Sequence, residues 1–232
     1  MTTSAAHTPA AGRTVITGAA ADASAMASGI RPRFCRAVDR LLRGASPRFL
    51  VNHCRRSFRL AMLIAAARNA DIDVEVVYAG VMLHDLGLTA RYHSPAVRFE
   101  VASANAAHAF VRRHGLSAQR AEKVWDVAAL HGTAGIADAK SPETAVSSAG
   151  IDADVTGLGL RQFDQDAIRE IMDSRPSFAE PFIQSVVTDL QDKPQVASST
   201  WMTMIAQDHI PGFHQGSIEQ LALANPYEQP RR

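Results

Sequence analysis

The sequence predicts an all-α protein, folded as a single-domain helical bundle. Apolar residues recur at spacings of three and four, the pattern of a helix with one face in a core. One such run comprises Val51, Cys54, Phe58, Ala61, Met62 and Ala65. We find no alternating apolar and polar run of useful strand length. With 232 residues, 47% of them hydrophobic and 20% charged, the chain is long enough to bury one sizeable core.

Apolar spacing and capping residues predict the first three helices. The first spans about residues 36–42. The second follows Ser46 and Pro47, a capping residue and a first-turn proline, and runs to about Ala65. The third, about residues 74–86, is apolar nearly all round, which is typical of a helix buried in the centre of a domain.

The remaining helices are predicted in the same way. A fourth covers about residues 96–114 and a fifth begins at Ser117 and ends near Leu130. The sixth begins at Ser141, Pro142 and Glu143, which are a cap, a first-turn proline and an acid near the positive helix end. Residues 164–172, 181–190 and 200–207 show three further helical patterns.

Composition excludes several classes of protein. The net charge is +1, from 24 basic and 23 acidic residues, so no global basic field favours nucleic acid. No apolar run is long enough to predict a membrane-spanning helix. Residues 1–30 carry few large apolar groups and no signal-peptide pattern, and we expect a flexible leader there and a domain over 31–232. Two cysteines, Cys35 and Cys54, make no disulfide framework and favour a reducing cytoplasm.

The adjacent pair His84 and Asp85 ends the apolar third helix and predicts a metal site. An unpaired carboxylate in such a setting costs several kcal/mol, roughly, unless a cation or hydrogen bonds meet it. His53 on the second helix and Asp152 or Asp154 on the sixth supply further ligands, each from a different helix. Imidazole and carboxylate ligands suit zinc, iron, manganese or nickel, and the bound ion would acidify a water molecule.

The order of these residues, His then His-Asp then Asp on helices, resembles the HD-domain metal-dependent hydrolase superfamily. The resemblance covers about residues 35–215 and narrows to the cyanamide hydratase-like branch. Five segments carry it: Asn52-His53-Cys54-Arg55, Leu83-His84-Asp85-Leu86-Gly87, Arg98-Phe99-Glu100-Val101 with Ala104-Asn105-Ala106-Ala107, Ala129-Leu130-His131 and His209-Ile210-Pro211-Gly212-Phe213.

The resemblance implies one divalent ion, zinc first, with iron, manganese or nickel as alternatives. It implies the ligands His53, His84, Asp85 and Asp154, because a small residue precedes Asp154 as in the superfamily pattern. Asp152 is the alternative ligand. The two aspartates are two positions apart on a helix and face different directions, so only one should reach the ion.

The implied activity is that of a hydratase or hydrolase in which a metal-activated water attacks a small carbon–nitrogen substrate, as in the conversion of cyanamide to urea. Asp85, Glu100 and His131 are the predicted catalytic residues. Glu100 would relay protons or hold a histidine, and His131 would contact substrate or water. His93, in the loop after His-Asp, is a surface residue, a lid residue or a contact for an anionic substrate.

Three other functions stay open at this stage. A phosphohydrolase of nucleotides or phosphate esters would need basic groups beside the metal, and Arg56 is placed to face inward, whereas Arg55 points away. A di-iron oxygenase would need His108 and His131 as ligands. A binding or sensor module with a vestigial site would lack a ligand, and none is missing. We expect a small-molecule substrate and no nucleic-acid or membrane partner. The sequence is compatible with both a monomer and a homo-oligomer.

Overall fold

The computed structural model describes residues 31–223, and within that range the all-α prediction is confirmed. The predicted leader, residues 1–30, lies outside the described residues. The helices are α1 (Pro32–Ala45), α2 (Arg48–Ala67), α3 (Val74–Leu83), α4 (Phe99–Arg113), α5 (Ala118–Leu130), α6 (Ile136–Lys140), α7 (Pro142–Thr156), α8 (Gln165–Met172), α9 (Ala179–Leu190), α10 (Met202–His209) and α11 (Ile218–Leu223), with 3₁₀ turns at Leu86–Leu88, Leu160–Gln162 and Pro194–Ala197.

Helix α3 lies at the centre, and α2, α4, α5 and α7 pack around it. Every residue from Glu75 to Leu83 is buried, which confirms the prediction from its uniformly apolar sequence. The helix starts at a side-chain cap, because Asp73 accepts hydrogen bonds from the backbone N–H groups of Glu75 and Val76. It ends at Leu83, earlier than predicted, so His84 and Asp85 occupy the turn that follows rather than regular helix.

Helices α2 and α7 approach each other closely, and this approach positions part of the site. A Cβ atom on Gly150 would lie 2.5 Å from the backbone nitrogen of Ala61, so only glycine fits at this crossing. Asp154 follows Gly150 by one helical turn on α7 and therefore faces α2 as well. The close crossing thus brings Asp154 to the side chains of His53 and Arg56 on α2.

Two helix starts differ from the predictions. Pro47, not Ser46, is the N-cap of α2, and no side chain caps that helix, because Ser46 instead ends α1. The short helix α6 was not predicted from the sequence. The caps at Ser117 and Ser141 are confirmed, since each serine side chain accepts a backbone N–H of the helix it begins.

The chain after α8 folds back over the helical core. We call residues 174–210, which include α9 and α10, the C-terminal cap. Its apolar side chains form one cluster with residues of α2 and α4, namely Leu50, Phe99, Phe178, Phe182, Val186, Leu190, Ala197, Met202 and Ala206. Among the described helices, none is both long and apolar enough to cross a membrane.

Candidate metal centre

Two histidines of the site each follow a helix and are held by the same kind of hydrogen bond, from Nδ1 to the carbonyl oxygen three residues earlier. His84 follows α3, and its Nδ1 donates a hydrogen bond of 2.7 Å to the carbonyl oxygen of Val81. His131 follows α5, and its Nδ1 donates at 2.7 Å to the carbonyl oxygen of Ala128. A carbonyl oxygen only accepts, so the proton is on Nδ1 in both rings and each Nε2 presents its lone pair when the ring is neutral.

His53, on α2, is held by a carboxylate rather than a carbonyl. Its Nδ1 lies 2.6 Å from Oδ2 of Asp154, and its Nε2 lies 3.1 Å from Nε2 of His84. Because the ionised carboxylate accepts a hydrogen bond, Nδ1 of His53 is the donor and Nε2 faces the centre of the site. Two imidazole nitrogens therefore point at each other across a short distance.

Asp85 completes the group. Its Oδ2 lies 3.3 Å from Nε2 of His84 and 3.5 Å from Nε2 of His53, which is ion-pair range, yet it has no hydrogen-bond partner. The potential ligand atoms of His53, His84 and Asp85 all lie within 4.8 Å of one another. The three residues are at most 3% exposed. Buried lone pairs that converge without a donor between them fit a divalent cation, which these three residues would hold.

The electrostatics show that the site favours a positive charge. Burial alone would raise the pKa of Asp85, but the charge and proximity of His84 hold it well below the ordinary range. Burial would lower the pKa of His84, but Asp85 outweighs it and raises that pKa well above its usual value. Burial lowers the pKa of His53. A proton on His84 therefore compensates Asp85 when no ion does, and an ion would displace it.

Asp154 binds two side chains of α2, His53 and Arg56. Both of its oxygens are occupied, since Arg56 donates from Nε to Oδ1 at 2.6 Å and from Nη2 to Oδ2 at 2.8 Å, and His53 also binds Oδ2. Burial would raise the pKa of Asp154, but His53 and Arg56 together lower it. The carboxylate thus lies behind His53, outside the group of three. Its rival Asp152 is exposed on the other side of α7.

The predicted catalytic residues Glu100 and His131 lie beside the cluster. The rings of His84 and His131 are 4.7 Å apart between centroids. Burial, and next the neighbouring His84, lower the pKa of His131 to about 4, so this ring is neutral at neutral pH. Glu100 is 1% exposed, and its Oε1 accepts hydrogen bonds from Nη2 of Arg98 at 2.6 Å and from Nε1 of Trp201 at 3.1 Å.

Most arginines near the site are paired with carboxylates, whereas Arg175 donates to the backbone carbonyl oxygens of Asp154 and Val155 and lies 4.9 Å over the ring of Phe178. Arg56 binds Asp154, as described, and also donates to the carbonyl oxygen of Ser174 in the cap. The remaining pairs are Arg55 with Asp39, Arg59 with Glu170 and Arg98 with Glu100. The inward direction predicted for Arg56 is confirmed, but its charge is already matched inside the protein.

His93 and His108 lie away from the cluster. His93 binds Asp189 at 3.0 Å through Nδ1 and Asp192 at 3.2 Å through Nε2, so acidic partners surround it and it is not built to meet an anion. His108 is partly exposed and pairs with Glu122 at 3.2 Å. The di-iron reading needs His108 near His131, and the structure places it instead on the surface between α4 and α5.

Sequence reasoning missed the aromatic cover of the site. The ring of Phe178 stacks on His53 at 4.8 Å, and Phe182 stacks on Phe178 at 5.1 Å. The spacing of four between these phenylalanines predicts that they share one side of a helical turn. It cannot predict the partner, because His53 lies on a helix far away in the chain.

The fold is a helical bundle, and it brings His53 of α2 together with His84 and Asp85 of the turn after α3. The protein is therefore of the class of helical domains with a candidate metal centre. Residues 50–163 match the HD domain family. The match contains His53, His84, Asp85, Glu100, His131 and Asp154 and ends before the C-terminal cap. Proteins of the HD domain family are generally metal-dependent hydrolases, and HD domains bind divalent metal ions. No curated protein gives a significant sequence match to the chain.

Proposed function

We propose that this protein is a metal-dependent hydratase or hydrolase that adds water to a small, uncharged carbon–nitrogen substrate, with cyanamide to urea as the reaction to test first. The observation that carries the substrate class is the pairing of charges around the cluster. Arg56 and Arg98 are bound to Asp154 and Glu100, and Arg175 donates to the backbone carbonyl oxygens of Asp154 and Val155, so these three guanidinium groups are engaged within the protein. Arginine and lysine side chains, together with metal ions, are the groups that commonly stabilise a transferring phosphoryl group.

The ion would be held by His53, His84 and Asp85. Asp154, the fourth ligand implied by the resemblance, would reach the ion only by giving up a hydrogen bond to His53 or Arg56. We name zinc first, with iron, manganese or nickel as alternatives. When bound, the ion would lower the pKa of a water molecule and so supply a nucleophile near neutral pH. The chain's own contribution is orientation, because carbonyl oxygens and Asp154 hold each imidazole with Nε2 toward the centre.

The walls of the site support a compact neutral substrate. Phe99, Phe178 and Phe182 lie within 6 Å of one of the site histidines, measured between ring centroids. Such walls exclude water and bind uncharged groups better than anions. A dry surrounding also strengthens each electrostatic contact made inside it.

His131 is the proposed proton carrier. Hydration of a nitrile-type carbon requires that a proton leaves water and reaches nitrogen. The pKa of His131, lowered to about 4, keeps Nε2 free to accept a proton at neutral pH. Glu100 would favour the protonated ring, because its carboxylate acts on His131 through space.

The test is elemental analysis of protein purified without added metal, with the same sample assayed for urea release from cyanamide. About one ion per chain with urea production is the expected result. His84→Ala should lose both metal and activity, whereas His108→Ala, at the surface, should lose neither. A His84→Ala protein that keeps full metal content and activity would refute the proposed site. One ion without urea would refute cyanamide as substrate and direct the assay to other nitriles and amides.

Location in a reducing cytoplasm is part of the same proposal. It rests on Cys35 and Cys54, which are both free thiols in the structure. A homo-oligomer remains open.

A further inference from the structure

The candidate metal centre is closed to solvent in this conformation. His53, His84 and Asp85 are 1%, 0% and 3% exposed, so no molecule can reach their ligand atoms without a movement of the chain. The nearby surface cavity of about 330 Å³ is lined by Leu88, Thr89, His93 and one side of α9, and by none of these three residues. Any substrate of this site must therefore enter by displacing what covers it.

The cover comes from the C-terminal cap. Phe178 stacks on His53 at 4.8 Å, and Phe182 lies parallel to Trp201, with 6.5 Å between ring centroids. The cap follows residue 163, where the match to the HD domain ends. It is thus an addition to the domain that carries the ligands.

Two strained residues bracket the covering segment. Ser177, just before Phe178, has φ of 63°, and Ser199, two residues before Trp201, has φ of 60°. Residues other than glycine rarely adopt positive φ, and a conformation of this kind persists only where the surrounding structure imposes it. Both ends of the segment would lose this strain if the segment moved away from the core.

One hydrogen bond joins the cap to a predicted catalytic residue. Nε1 of Trp201 donates to Oε1 of Glu100 at 3.1 Å. The indole comes this close because residue 132 is glycine, where a Cβ atom would lie 2.6 Å from Nε1 of Trp201. Arg98 binds the same oxygen of Glu100 from the HD domain. The carboxylate of Glu100 is therefore held in place by both the domain and the cap.

We propose that residues 177–199 and the adjoining Trp201 form a lid that opens to admit substrate, and that Trp201 is a positioning residue that orients Glu100 when the lid closes. The role in turnover rests on the proposed function. The test of the movement by hydrogen exchange does not, because it is read without substrate and without activity. Trp201 acts through Glu100, so removing the indole N–H should matter only where Glu100 retains its carboxylate.

Native-state amide hydrogen exchange tests the lid without any activity. We expect the amides of α9 to exchange at least tenfold faster than those of α7, since the lid opens without unfolding of the core. Trp201→Phe should raise exchange in α9 by a further factor of about ten, because a hydrogen bond to a charged group is lost. Equal protection of α9 and α7, or no effect of Trp201→Phe, would overturn the lid.

Trp125→Phe is the matched control. Trp125, the other tryptophan of the chain, also donates its indole N–H to a side-chain oxygen, that of Asn105 at 2.9 Å, and both of these residues lie outside the C-terminal cap. The same chemical change there should leave exchange in α9 unaltered. An equal rise in both variants would mean that loss of any indole hydrogen bond loosens the helix, and would overturn the specific role of Trp201.

A double-mutant cycle with Glu100→Gln tests the positioning role. In urea release from cyanamide by the metal-loaded protein, Trp201→Phe should lower kcat about tenfold with little change in metal content, and should have no further effect in the Glu100→Gln background. Independent, multiplicative effects would overturn the link through Glu100. If no variant releases urea, the cyanamide proposal fails, and the same cycle is read from exchange in α9, where coupled effects support the link and independent effects overturn it.

Discussion

Replacement of Asp154 by Asn should destabilise the protein by about 3 kcal/mol or more. Asp154 is 0% exposed and Arg56 is 2% exposed, and two short hydrogen bonds join them. Removing one partner of a buried ion pair costs about 3 to 5 kcal/mol, because the other charge stays buried without compensation. Asn keeps the volume and one acceptor oxygen, which places the expected loss at the lower end. That is a large part of the roughly 5 to 15 kcal/mol that stabilises a typical domain.

The assay is urea denaturation followed by circular dichroism, with Asp152→Asn as the matched control. Asp152 is exposed on the same helix, two residues away, and its replacement should change stability by less than about 0.5 kcal/mol. The double variant Arg56→Leu with Asp154→Asn removes both charges. It should recover much of the loss, since an uncharged pair of similar volume leaves no buried ion behind.

Metal content of the same variants separates two roles of Asp154. A carboxylate that only orients His53 should, when replaced by Asn, weaken metal binding by about 10- to 100-fold. If Asp154 is instead a direct ligand, the purified Asp154→Asn protein should contain no metal. Equal effects of Asp152→Asn and Asp154→Asn on stability and metal content would refute the reasoning from burial and pairing, and a larger effect of Asp152→Asn would move the ligand assignment to Asp152.

Three further predictions concern acid, metal and the cap. In metal-free protein, His131 takes up a proton near pH 6.5 when the chain is unfolded but only near its lowered pKa of about 4 when it is folded. The free energy of unfolding should therefore fall by about 3 kcal/mol as the pH falls from 6.5 to 4, and urea denaturation of His131→Gln should lack this part of the loss. Zinc at about 100 times its dissociation constant should add about 2.7 kcal/mol to the unfolding free energy measured by denaturation, and no change on chelation would exclude a bound ion. Lys193→Met should cost about 3 to 5 kcal/mol, because Lys193 is 0% exposed and pairs with buried Asp189 at 2.8 Å; a near-neutral result in denaturant would contradict that pairing.

Local sequence patterns were sufficient for the fold class, and they pointed to three residues that the structure brings together, His53, His84 and Asp85. The apolar third helix had to be buried, and the His-Asp pair at its end therefore needed partners in the core; His53 was predicted as one of them from its place on the apolar face of the second helix and from the order of residues in the resemblance. The serine caps of α5 and α7 act within one turn and were equally predictable. These are local causes that lie within a few residues of their effects.

The rest depends on contacts between distant segments. Helical periodicity places Asp152 and Asp154 on different sides of α7, but only the crossing at Gly150 decides that Asp154 faces α2. Helical periodicity also predicts that Arg56 faces inward, but it does not predict that Arg56 forms an ion pair with Asp154. The phosphohydrolase hypothesis turns on pairing of this kind, which is why the sequence alone left it open.

One physical requirement connects these features. Asp85 is buried with an oxygen that has no hydrogen-bond donor, and a positive charge must therefore sit among the three residues. Nδ1 of His53, of His84 and of His131 is tied to an oxygen, so the charge can only be met at Nε2, on the side that faces the cluster. Asp85 raises the pKa of His84 against the effect of burial, which favours a proton on His84 when no ion is bound. Phe178 of the C-terminal cap stacks on His53 and covers the same group of lone pairs.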